Sequence, residues 1–302
     1  MTTPRKSVFA CGISMRPLCC ILIVIGWMVQ LRADDAVRVI SWNIRYDNPN
    51  DGANRWGLRK DWVAELIRSH GADIAGLQEV LVSQLKDLKE RLPEMEVFGV
   101  GRDDGIEAGE FSPILFRRER FELLSARTYW LSPTPDKPGS RGWDAALPRI
   151  LTWIRLKDRK TSETLSVLNT HFDHRGVEAR TESARLIQTL LREEKKSDEP
   201  VILTGDFNTG PDSEPFTVLT DNTDDSSIKL QDTWTHSKKM AEGPDSTWNG
   251  FDAIVPGRRI DFVFTSPDVA IVDVKIADDR RDERFPSDHL PVITTIDLYS
   301  TP

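Results

Sequence analysis

Six short segments of the chain set an acid, an amide or an imidazole at the end of an apolar run. They are Trp42-Asn43, Leu77-Gln78-Glu79, Asn169-Thr170-His171, Gly205-Asp206-Phe207-Asn208, Ile260-Asp261-Phe262-Val263 and Ser287-Asp288-His289-Leu290-Pro291. Polar groups at the mouths of buried strands are costly to desolvate unless they are paired, protonated or bound to a cation. A convergence of Glu79, Asp206, Asp261 and Asp288 therefore demands a metal ion or shared protons. Plainer readings stand beside this one. A lone Asn at a strand end, such as Asn43, is usually a turn former. His70, before Gly71, reads as a helix-terminal residue, and Trp143, Trp153 and Trp248 read as core or rim aromatics. Asp173 and His174 either reach a cleft or order their loop, and Arg149 either binds an anion or pairs with an acid.

These residues need elements to carry them. Val37 to Asn43 is rich in β-branched residues and predicts a strand; Leu58, Trp62, Val63, Leu66 and Ile67 then repeat at helical spacing up to His70-Gly71. A second strand, 72–77, ends in Gln78-Glu79, and a helix over 81–92 is closed by Pro93. The same order recurs: a strand over 165–169 ending in Thr170-His171, a helix over 177–191 with Ala179, Leu186, Ile187, Leu190 and Leu191 on one face, a strand over 201–203 ending in Gly205-Asp206, and a short helix after Asp212. Asn43 precedes Glu79 by 36 residues and His171 precedes Asp206 by 35, so two similar units can pack their sheets face to face and bring their polar strand ends to one cleft. Between the units, 111–116, 121–131 and 150–156 read as successive strands of a meander; 260–265, 269–276 and 292–298 supply more. The sum is a mixed α/β layered domain with more strand than a Rossmann fold. No Gly-x-Gly-x-x-Gly or phosphate-loop motif is present, which counts against a nucleotide cofactor.

The chain has 302 residues and 39% apolar content, enough for one large core. Leu18 to Leu31 is apolar apart from Gln30, follows basic residues and turns polar at Arg32-Ala33-Asp34-Asp35. This is the pattern of a signal peptide over 1–33, with an uncleaved membrane anchor as the rival; a spanning helix wants about 20 apolar residues. Cys11, Cys19 and Cys20 all lie in this stretch, so a cleaved chain, 34–302, has no cysteine and reads as one catalytic domain held by its core. Four of the 40 basic residues and none of the 48 acidic ones precede Asp34, which leaves the remainder at −12. Proteins that grip long nucleic acid usually carry the opposite balance. The short polar stretches, 132–142, 192–199, 221–227 and 278–284, read as solvated loops or helix ends.

Taken in order, the six segments resemble the endonuclease/exonuclease/phosphatase superfamily, whose fold is deoxyribonuclease-I-like. The resemblance spans residues 37 to 298. Trp42-Asn43-Ile44-Arg45-Tyr46-Asp47, Gly99-Val100-Gly101-Arg102-Asp103-Asp104-Gly105 and Gly142-Trp143-Asp144-Ala145-Ala146 are similar to its bacterial exported type. The resemblance implies a four-layer α/β sandwich of two packed mixed sheets flanked by helices. It implies Glu79 as principal metal ligand, with Asn43 beside it and Asp288 assisting. Asp206 would orient or deprotonate the attacking water, Asn208 would bind metal or phosphate oxygen, and His289 would contact the scissile phosphate with Asp261 holding its ring. His171 would be the second imidazole at the phosphate. Arg149, His174 and Asp173 are further candidates for substrate contact. An all-oxygen site favours magnesium or manganese over zinc.

The function expected is an exported, metal-dependent phosphoesterase acting on a small phosphoester, a sugar or inositol phosphate, or a lipid head group. A secreted nuclease is the alternative, with Arg45, Arg55, Arg102, Arg141, Arg149 and Arg175 as a local basic groove. A sphingomyelinase would want an exposed apolar hairpin, and no such run is evident. A binding module without activity is disfavoured because the full polar set is present. Association with a membrane is expected only if the N-terminal run stays uncleaved, and no oligomeric state can be read.

Overall fold

Strands that end in polar residues need a partner sheet to cover their apolar faces, and the computed structural model supplies one. It describes residues 1–4, 35–196, 199–221 and 228–298. The apolar N-terminal run, its cysteines and most of the acidic stretch 221–227 lie outside the described residues. No described helix is long and apolar enough to cross a membrane.

In chain order the elements are β1 (Val37–Asn43), α1 (Lys60–Ser69), β2 (Ile74–Gln78), α2 (Val82–Arg91), β3 (Met95–Phe98), β4 (Ile114–Arg117), β5 (Phe121–Trp130), β6 (Ile150–Asp158), β7 (Thr164–His171), α3 (Val177–Glu194), β8 (Val201–Asp206), α4 (Glu214–Thr220), β9 (Gln231–Asp232), α5 (Thr233–His236), β10 (Asp261–Thr265), β11 (Ala270–Ile276) and β12 (Val292–Asp297). They form two mixed six-stranded sheets, ordered β11-β12-β1-β2-β4-β3 and β5-β6-β7-β8-β10-β9.

Three apolar layers hold the sandwich. Val39, Ile74, Ile114 and Phe116 of one sheet pack on Ile154, Val167, Ile202 and Val263 of the other. Trp62, Val63 and Ile67 of α1 and Leu85 and Leu88 of α2 cover the outside of the first sheet. Ala184, Ile187 and Leu191 of α3 cover the second. Each fully buried aliphatic side chain of this kind contributes about 1.5–3 kcal/mol.

Register decides what meets at the strand ends. β1 and β2 run parallel with Asn43 opposite Gln78; β7 and β8 run parallel with His171 opposite Asp206; β10 returns antiparallel with Asp261 opposite Asp206. Below these ends the sheet interface changes from apolar to polar. Buried Asn169 donates to the carbonyls of Leu77 (2.7 Å) and Pro113 (2.9 Å) and accepts from Gln78 Nε2 (2.7 Å) and Thr204 Oγ1 (3.0 Å). Ser41 Oγ accepts from Gly205 N–H at 2.9 Å. Gly76 makes this closeness possible, since a Cβ there would stand 2.0 Å from Thr204 Oγ1. The two sheets are thus tied in one alignment directly behind the site.

The expected meander is corrected here. β4 pairs with β2 and β3 in the first sheet, whereas β5 pairs with β6 in the second, so the chain changes sheet between them. Arg120 at that crossing bonds Asp73, just before β2 of the first sheet (3.1 Å), and Asp158 of β6 (3.3 Å). Residues 111–113 precede the strand, with Phe111 making only an isolated bridge to Val80. Leu58, placed on the helical stripe, is exposed because it ends a short 3-10 turn, Trp56–Leu58, before α1 begins. The four-residue strand β3, too short for a clear alternation, was not foreseen.

Candidate active site

Glu79 follows β2 with a φ of 61°, a left-handed turn that a non-glycine residue adopts at a cost of about 1–3 kcal/mol. The turn carries its carboxylate back to β1, where Asn43 Nδ2 donates to Oε1 at 3.1 Å and Tyr46 N–H donates to Oε2 at 3.1 Å. Asn208 after β8 also has positive φ (50°), which Asn tolerates; its N–H reaches back to Asp206 Oδ1 at 2.9 Å and its Nδ2 donates to Phe172 O at 3.1 Å. Strain of this kind at strand ends is characteristic of functional sites.

Asp206 Oδ2 is the focus of the arrangement. Asn43 Nδ2 donates to it at 2.9 Å, His171 Nε2 stands 3.5 Å away and His289 Nε2 3.7 Å away. His289 in turn places Nδ1 2.8 Å from Asp261 Oδ2 and packs edge-on against Trp248 at 4.8 Å. Burial opposes charge on the His289 ring, but Asp261 and Asp206 outweigh it and push the ring up to about 10. Burial, then the nearby charge of Asp261, pushes Asp206 up to about 6. His171 goes the other way: burial and the guanidinium groups of Arg149 and Arg102 hold it well below the usual imidazole range. At neutral pH the site therefore carries one charged and one neutral imidazole around one carboxylate, the separation of protonation states that acid–base chemistry needs.

Beside this group lie the carboxylates of Glu79 and Asp288. Burial, then the charge of Asp288, pushes Glu79 above the usual carboxylate range, and Arg45 stands 3.9 Å from each. Both line the same cleft, Asp288 buried and Glu79 half-buried, and carboxylate oxygens are the donors a hard divalent cation takes. Asp206, Asp261 and His289 also lie close enough together to surround an ion. A protonated imidazole bonded to Asp261 has no lone pair to offer, so without an ion that trio reads as a hydrogen-bonded relay.

Glu79, His171, Asp206, Asn208, Asp288 and His289, with Arg149 and His174, line one cleft of about 520 Å³. Asn43 and Asp261 lie directly beneath it, fully buried. Asp173 does not line it: its carboxylate accepts from the N–H groups of Leu147, Arg175 and Gly176 and from Arg149 Nε, which hold it well below the usual range although burial works against this. The expectation of substrate contact by Asp173 is thereby corrected to support of Arg149.

The expected basic groove is corrected too. Arg45 pairs with Asp51, Arg102 with Glu110 and Arg149 with Asp173, while Arg55, Arg141 and Arg175 are exposed and line no part of the cleft. Trp248, expected as a core or rim aromatic, lines the cleft together with Arg258, which the sequence did not single out and whose guanidinium lies 4.7 Å over the indole. Glu110, 3.9 Å from His171 Nδ1, escaped because it precedes a strand instead of ending one.

Comparison with known proteins places this geometry. Residues 40–289 match the Endonuclease/Exonuclease/phosphatase family. An endonuclease/exonuclease/phosphatase from Bacteroides vulgatus superposes with a TM-score of 0.83 at 39% identity, over 87% of this chain and 99% of that one. The mannosyl-6-phosphatase of Bacteroides thetaiotaomicron does so with a TM-score of 0.79 at 36% identity, over 86% and 99%. An uncharacterized protein of Acanthamoeba polyphaga mimivirus is 28% identical over 193 residues, 62% of this chain and 70% of its own length. The two flanked six-stranded sheets are the deoxyribonuclease-I-like fold that the sequence led one to expect.

Proposed function

We propose, for a chain that belongs to the endonuclease/exonuclease/phosphatase family of phosphoester hydrolases, that it is an exported, divalent-metal-dependent phosphomonoesterase acting on a small phosphorylated polyol such as a sugar phosphate. One observation carries the reading: two imidazoles and Asn43 converge on Asp206 Oδ2, in the cleft that Glu79 and Asp288 also line. Asp206, titrating near 6, is a base matched to neutral pH; it orients water for in-line attack and takes its proton. Charged His289, held by Asp261, donates Nε2–H to a phosphoryl oxygen, and neutral His171 and Asn208 offer further hydrogen bonds to the same group. Glu79 and Asp288 would hold magnesium or manganese, which when bound supplies positive charge against the charge growing on the phosphoryl oxygens. No enzyme-bound covalent intermediate is needed.

A small ester is favoured over long nucleic acid. The chain after residue 33 balances at −12, and Arg45 and Arg149 in the cleft already have carboxylate partners, which leaves few cations to exchange for counterions. The solved relative of 36% identity that is a mannosyl-6-phosphatase supports a sugar phosphate. Export rests on the basic-then-apolar pattern before Asp34.

The test is release of phosphate from mannose 6-phosphate and nitrophenyl phosphate, release of nitrophenol from bis-nitrophenyl phosphate and nicking of plasmid DNA by residues 34–302, with magnesium, manganese or chelator. Monoester turnover that needs metal and is lost in Glu79→Ala and His289→Ala is expected. Turnover of DNA or the diester in preference to both monoesters, or activity that survives both substitutions, overturns the reading.

A further inference from the structure

The cleft wall beyond His171 is built differently from the rest. Arg149, 4% exposed, gives Nε to Asp173 at 3.3 Å and Nη2 to His174 Nδ1 at 3.0 Å; its Nη1 is buried without a protein acceptor. An arginine has no acceptor, so the contact fixes His174 with Nδ1 as acceptor and its proton on Nε2. Arg149 and His174 both line the cleft, with Leu147 beside them. Asp173 already balances the charge of Arg149, and partial burial and Arg149 lower the affinity of the His174 ring for a proton. The wall thus presents N–H donors with little net charge. A second phosphate would find no uncompensated cation there, whereas hydroxyl oxygens would find donors, and Leu147 offers an apolar surface for C–H groups.

We propose that Arg149 and His174 form the subsite for the alcohol side of the substrate, with His174 Nε2–H donating to a hydroxyl of a polyol leaving group and Arg149 holding the ring that presents it. In this arrangement Asp173 is a positioning residue that sets the guanidinium and, through it, the tautomer of His174. The inference rests on the phosphomonoesterase reading and names the part of the substrate that selects it.

The experiment compares kcat/KM for mannose 6-phosphate and nitrophenyl phosphate in the wild type, His174→Ala, His174→Gln and Arg149→Lys, with magnesium present, and reads the His174 ring by 15N NMR at pH 8. Loss of one such hydrogen bond is expected to lower the mannose 6-phosphate value by about tenfold in His174→Ala. The nitrophenyl phosphate value, on a substrate with no leaving-group hydroxyls, falls by about threefold at most, and the Gln amide restores most of the difference. The wild-type ring shows a bare Nδ1, and Arg149→Lys gives a mixture of tautomers. His174 is exposed, so its variants fold. Equal losses on both substrates, no loss, or a wild-type ring protonated at Nδ1 overturns the subsite while phosphomonoesterase activity stands. A wild type inert on every phosphoester overturns the activity and the subsite together.

Discussion

Replacing Asn169 with Ala tests whether the sheet alignment makes the site. Leu77 N–H donates to Pro113 O at 3.0 Å, and antiparallel pairing would normally return an N–H from residue 113 to Leu77 O. Proline has none, and Asn169 Nδ2 on the opposite sheet supplies the missing donor at 2.7 Å. Truncation leaves Leu77 O without that donor and removes one partner each from Pro113 O, Gln78 Nε2 and Thr204 Oγ1. These three keep another: Leu77 N–H, Gly76 O and Leu168 O respectively. One orphaned buried carbonyl costs about 1–3 kcal/mol and each of three weakened bonds about half of 1 kcal/mol, so the sum is about 2–5 kcal/mol. That is a large part of the roughly 5–15 kcal/mol that holds a domain together. Equilibrium urea unfolding measures it, with Thr204→Val, which removes one bond, as the milder comparison. Because Asn169 ties β7 to β2, kcat for a phosphoester should fall at least about tenfold at a temperature where the variant is fully folded. A stability loss below about 1 kcal/mol, or a large loss with kcat unmoved, refutes the reasoning.

Gly76→Ala drives a methyl to within 2.0 Å of Thr204 Oγ1 and 2.8 Å of Asn169 Oδ1; a loss of about 1–3 kcal/mol or more is expected in the same urea assay, against a change within experimental error at exposed Gly57, where a Cβ meets nothing. In metal-free protein, His289 should remain charged at pH 8 while His171 is neutral at pH 6, read from ring 15N shifts. A histidine raised to about 10 contributes stability that is fully present below its ordinary 6.5 and is lost as pH rises through 10, so the thermal midpoint should fall between pH 8 and 10, and Asp261→Asn should flatten that fall. Magnesium at 100 times its dissociation constant should stabilise the wild type by about 2.7 kcal/mol. Calorimetry should show this gain lost in Glu79→Ala and kept in Asp261→Asn; the opposite pattern would move the cation to the trio of Asp206, Asp261 and His289.

The strand ends were legible because short, nearly continuous apolar runs that stop at an acid or amide leave few other readings, and the matched spacings of 36 and 35 residues implied that two such units face each other. What escaped depends on contacts between distant segments. Nothing in 117–121 says that the chain leaves one sheet for the other; Arg120, bonded to Asp73 and Asp158 across that gap, does so only once both sheets exist. Asn169 read as part of a catalytic segment because it stands two residues before His171, yet its role is to give Leu77 a donor that a proline 56 residues away in sequence fails to give. Asp173 shows the same inversion, with its acid spent on its own loop and on Arg149. Residue type and position announce that a polar group will be buried at a strand end. Whether it faces the cleft or braces what does is settled by which lone pairs the neighbours leave unfilled, and that becomes visible only when the neighbours are assembled.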